Sequence, residues 1–226
     1  LGLEVEELDL VLDGRAPVDL NVIASAPQAV RDIFDLMAKD TVEHWRTVAA
    51  RLDNVPRALE QYASALSWSA GRGQVAPRRQ VVKVAEQCRD QAGDGTSTFD
   101  ALLEEAAGQS EEVRGLLAAA ATSAKAAFGA LATFLDELAP TAPESDACGR
   151  ELYALRSRSF LGAVIDLEET YRWGQEKLAR ITRMMAETAE QIRPGASVKE
   201  AVQILDDDPA YQLEGTDALR GWMQVK

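Results

Sequence analysis

One apolar seam constrains this chain more than any other feature. Val113, Leu116, Leu117, Ala120, Ala124, Phe128, Leu131, Leu135 and Leu138 recur at intervals of three and four. That period matches one face of an α-helix and no strand. Ser110 opens the segment, with Glu111 and Glu112 next to the positive helix end, and Pro140 and Pro143 close it. The resulting rod is about 42 Å long at 1.5 Å per residue. Its middle, Ala118 to Ala132, is rich in alanine, so a neighbouring helix can approach closely. A rod of this kind needs other helices to cover it. The fold class expected is therefore all-α, a bundle of long antiparallel helices.

The rest of the sequence agrees. No run shows convincing period-two alternation. Ser25 caps a helix to about Lys39, and Thr41 caps the next. Asn54 precedes a third, ended by Gly71-Arg72-Gly73. A fourth runs from about Pro77 to Gln91, and Gly93-Asp94-Gly95 breaks the chain after it. A short helix over about 97–107 leads to the long seam. A seventh helix is expected from about Glu144 to Phe160. Asp166 caps an eighth, whose seam is Leu167, Tyr171, Gly174, Leu178, Ile181, Met185 and Ile192. Ser197 with Glu200 makes a capping box for a helix to about Leu205. Asp206-Asp207-Asp208-Pro209 is a turn, and Thr216 caps a last helix. This layout suggests an N-terminal helical subdomain over 1–92 and a long-helix bundle over 93–226.

Composition narrows the function classes. The 226 residues carry 24 Lys and Arg against 37 Asp and Glu, a formal net charge of -13. Such a surface repels nucleic-acid phosphates and anionic bilayers, so neither is expected as a partner. No stretch of eighteen apolar residues occurs, and the acidic start, Leu1 to Gly14, is unlike a secretory signal. A cytoplasmic location is the expectation. Cys88 and Cys148 have no CxxC or histidine context and read as two free thiols, with a disulfide left open. His44 is the one histidine, which excludes any site built on two histidines of this chain.

Few constellations suggest chemistry. His44 with Glu43 and Asp40 lacks the third ligand a metal site needs. Asp206, Asp207 and Asp208 lack the spacing of a calcium loop. Phosphate loops and nucleophile elbows are absent. Residues 72–89 are basic, with Arg72, Arg78, Arg79, Lys83 and Arg89 against Glu86, and they read as facing an acidic surface. An anion site on that patch is the alternative. Trp68 lies off the stripe of its helix, either as an anchor for a partner or under a loop. Arg150, Tyr153, Arg156 and Arg158, with Trp173 on the following helix, can hold a carboxylate. Ion pairs to Glu151, Glu168 or Glu169 explain the same residues.

The segment GRELYALRSRSFLGAVIDLEETYRWGQEKLARI, residues 149–181, resembles the bacterial helical family called domain of unknown function 885. Gly-Arg-Glu-x-Tyr, a basic helix, a Leu-Gly turn and Asp-x-x-Glu-x-Tyr-x-x-Gly follow in that order. RLDNVPRALEQYASAL (51–66), RGQVAPRRQV (72–81), the DDDP turn and the closing GWMQ are similar as well, so the resemblance spans at least 17–224. Members of that family resemble zinc-dependent peptidases. They are longer and carry a His-Glu-x-x-x-x-His-His motif on a later helix, where two histidines would bind zinc and the glutamate would activate water. None of those ligands maps onto a position here. The resemblance therefore implies an N-terminal, non-catalytic half that forms one wall of a substrate cleft and is inactive alone. No catalytic residue, metal ligand or cofactor is expected in this chain, with zinc in the full-length parent. Tyr153, Arg158 and Trp173 are the residues expected to face the cleft. The partners implied are the remainder of the parent chain and a peptide substrate. A free-standing helical interaction or scaffold protein is the alternative.

Overall fold

The computed structural model describes residues 2–93, 95 and 97–225; Asp94, within the expected Gly-Asp-Gly break, lies outside them. Helices account for all regular structure among these residues, and no strand occurs, so the fold is all-α. The chain forms two compact units, Leu1–Gly162 and Ala163–Lys226.

In the first unit, helices α2 (Ala26–Leu36), α3 (Val42–Leu52), α4 (Val55–Ala70), α5 (Arg78–Ala92) and α6 (Thr98–Glu105) precede the long helix α7 (Glu111–Leu138). α7 is 28 residues long and buries Val113, Leu117, Ala120, Ala121, Ala124, Phe128, Leu131, Ala132, Leu135 and Leu138. That is the predicted seam, with one exception: Leu116 is 49% exposed. The stripe packs on α3, α4, α5 and α6. Alanines at the seam let α5 lie close, and its Val81, Val84, Ala85 and Cys88 are buried. Fully burying each large apolar side chain stabilises the fold by about 1.5–3 kcal/mol. The strip from Glu111 to Thr141 is long and apolar enough, by length and composition, to span a bilayer. Here its buried face is the centre of a helical core.

Phe99 of α6 is fully buried and stands edge-on to Phe34 of α2, ring centroids 6.1 Å apart. It also meets Phe128 of α7 at 5.6 Å. The expected boundary at 92/93 falls between α5 and α6, both of which pack on α7.

The basic helix does face acids. Arg89 pairs with Asp136 and Arg78 with Glu144, and Arg79 lies 2.6 Å from Asp146. The Arg78 and Arg79 contacts accompany a non-helical path over residues 143–148, with the Arg78 amide donating to the Pro143 carbonyl at 2.8 Å. The seventh predicted helix accordingly starts at Arg150 rather than Glu144, as α8 (Arg150–Leu161). Gly162 ends it in the left-handed region, φ 71°, where glycine carries no Cβ penalty.

The acidic N-terminus is a helix, α1 (Gly2–Leu12), which the sequence reading left unassigned. Leu10 and Ala16 bury against Leu152 and Leu155 of α8, forming a small core separate from the main one. Arg15–Glu151 and Arg158–Glu6 ion pairs flank it.

The second unit holds α9 (Leu167–Ile192), α10 (Val198–Asp207) and α11 (Gly215–Val225). Asp166 caps α9, accepting from the amides of Glu168 and Glu169 at 2.9 and 3.0 Å. Ser197 and Glu200 form the predicted capping box. α10 runs through Asp207, and Asp208 caps the turn after it by accepting from the Ala210 amide. The last helix begins at Gly215, so Thr216 sits inside its first turn. The seam expected to bury along α9 is largely open. Leu178 is 60% exposed and Met185 48%, and Ala189 is the buried residue of the helix.

Candidate functional site

α8 carries two of the three expected cleft residues. Tyr153 is 56% exposed. Arg158 spends its guanidinium on Glu6 of α1, and its Nε is buried without a partner. Five positions on a helix separate the two side chains by about 140°. Arg156 lies 3.6 Å from Asp19. The carboxylates beside Arg158 and Arg156 are thus Glu6 and Asp19. Trp173, the third residue, belongs to α9 of the second unit, where it is exposed and Lys177 Nζ lies 5.3 Å from its ring centroid.

Two further recesses lie outside the predicted set. In the first unit, a bay of about 460 Å³ is lined by Val18, Asp19, Ile23, Ala29, Asp32 and Tyr62. The Tyr62 hydroxyl donates to the Asp19 carbonyl at 2.5 Å, and burial raises its ionisation well above the usual phenol range. In the second unit, α9 and α10 enclose an open groove of about 360 Å³ between Ile181, Met184, Met185 and Ile192 on one side and Val198, Val202 and Leu205 on the other. The α9 seam was legible in the sequence. Its exposure was not, because spacing alone does not say which helix covers a face.

The other candidates have structural partners. Arg78, Arg79, Lys83 and Arg89 all pair with carboxylates, which leaves the basic helix no vacant cation for an anion. Arg72 stacks 4.2 Å over the half-exposed Trp68 ring. His44 Nδ1 lies 3.9 Å from Asp40, and no group of three His, Cys, Asp or Glu side chains gathers to hold a metal among the described residues. Cys88 is a buried free thiol, pushed up to about 12 by desolvation, and Cys148 is exposed and free.

Architecture and side chains together define an acidic, all-α protein with an apolar groove between α9 and α10. The chain belongs to the bacterial family of proteins of unknown function DUF885, whose model matches residues 4–226. No curated protein matches it.

Proposed function

We propose that this chain is the non-catalytic helical half of a metal-dependent, peptidase-like hydrolase and forms one wall of its substrate cleft. The observation that supports this reading most is the uncovered apolar face of α9 and α10, in a chain whose first unit is otherwise well packed. A face of this size on a soluble protein marks a surface that docks against another body. The family resemblance suggests what that body is: the remainder of the parent chain, which would carry the zinc and its ligands. In this reading the cleft faces a peptide. Tyr153 and Trp173 offer exposed aromatic contacts, and Arg158 serves once Glu6 releases it. The protein works in the cytoplasm, with neither nucleic acid nor membrane as partner.

The test is the gene sequence beyond the codon for Lys226. The reading predicts a downstream helix carrying the His-Glu-x-x-x-x-His-His pattern. A stop codon directly after residue 226 would contradict it. The same open groove favours one rival, a free-standing helical interaction protein. That rival predicts a native product of 226 residues on an immunoblot, against a much longer one here.

A further inference from the structure

We propose that α1 and α8 form a clasp that opens as one unit while the core around α7 stays folded, and that ionic strength sets how often it opens. The inference stands without the peptidase reading.

The two helices pair antiparallel: Glu6 meets Arg158 and Arg15 meets Glu151, so numbers rise along one as they fall along the other. Leu3, Glu6 and Leu10 step by three and four along α1, and Glu151, Leu155 and Arg158 by four and three along α8. Each set shares one helix face. Leu10 and Ala16 meet Leu152 and Leu155, with Leu3 and Val11 partly buried beside them. This cluster is separate from the main core, and α1 and α8 pack chiefly on each other. The body takes hold of the chain just beyond Pro17. There the Val18 amide donates to Ser69 Oγ at 3.1 Å, the Tyr62 hydroxyl to the Asp19 carbonyl at 2.5 Å, and the Val22 amide to Gln80 Oε1 at 3.1 Å. Arg156 adds one longer ion contact from α8 to this anchored segment, 3.6 Å from Asp19.

Little burial holds the clasp shut. Four side chains are buried in it, whereas α7 alone buries ten. Val5, Leu8 and Leu12 of α1 stay exposed. Closure also leaves Arg158 Nε buried without a partner, a cost that opening removes when water reaches it. The helices have 11 and 12 residues, and isolated helices of that length are marginal in water, so neither outlasts the other. Both ion pairs lie at the surface, where salt screens them. Opening frees the Arg158 guanidinium from Glu6 and uncovers Leu152 and Leu155.

Hydrogen–deuterium exchange of the 226-residue protein, read by mass spectrometry at neutral pH, tests this. The slowest amides of α1 and α8 should share one protection factor, about a hundredfold or more below that of α7. Sodium chloride at about 0.5 M should speed both helices about threefold and leave α7 unchanged. Glu6→Gln with Arg15→Gln removes both pairs at constant net charge. It should speed α1 and α8 about fivefold at low salt, with most of the salt effect gone. Leu155→Ala should speed both about tenfold or more, again without change in α7. Protection of α1 and α8 equal to that of α7 overturns the proposal, because the clasp then opens only with the whole fold. So does protection of α8 while α1 exchanges freely, or a rate in both helices indifferent to salt.

Discussion

Two residues of α5 and α6 show how burial sets reactivity and stability. Cys88 sits in the main core with its thiol pushed up to about 12, whereas Cys148 is on the surface. A thiol-specific chromogenic reagent should therefore titrate one cysteine quickly in the native protein and two in denaturant. Rapid reaction of both in the native state would show that α5 does not hold Cys88 inside. Phe99 fills the space between Phe34 and Phe128, so Phe99→Ala leaves a void among aromatic rings. The expected loss is about 3–5 kcal/mol, read as a lower urea midpoint at unchanged slope. Asp100 gives the pH dependence its sign. Lys125 Nζ lies 2.9 Å from its carboxylate, and this contact, with help from Ser97 and the Gly95 amide, holds the group below the usual carboxylate range. A depressed carboxyl contributes stability that is present above its unfolded value of about 3.9 and is lost as pH falls through the lower folded value. Asp100→Asn should lower stability at neutral pH and flatten the acid limb of a urea-midpoint series from about pH 7 to about pH 2. An unchanged acid limb would show that the contact does not persist in solution.

Among the elements, α7 was the most legible in the sequence because its seam, cap and stop signals all agree. Ser110 caps it, and the buried residues are nearly those the spacing names. α8 was less so. Its expected start at Glu144 gives way because Arg78 and Arg79, more than sixty residues earlier, draw Glu144 and Asp146 out of a helical path. No local pattern encodes that competition. α1 escaped notice for a related reason: its helix depends on a small patch supplied by Leu152 and Leu155 of α8. Of the candidate site, the exposed Tyr153 and Trp173 were legible as residues, but the capture of Arg158 by Glu6 depends on α1. Gly115 of α7 has open space where a Cβ would go. Gly115→Ala should therefore stabilise the protein by about 1 kcal/mol, measured by thermal melting. A loss of stability would mean that a neighbour occupies that space.

At the scale of the whole molecule, the two units differ in how they use apolar residues. The first surrounds α7 with helices and buries its aromatic rings. The second keeps an amphipathic helix of 26 residues with a single buried position. Spacing predicted both seams equally well; only the fold tells which one is covered. In the proposed function the second unit offers this surface to another body, which would carry the chemistry. Its most direct test is incubation of the purified chain with a mixed peptide library, with and without added zinc, followed by mass spectrometry. The account predicts no cleavage above the protein-free control in either case. Cleavage that scales with protein concentration and co-elutes with the 226-residue chain would contradict it.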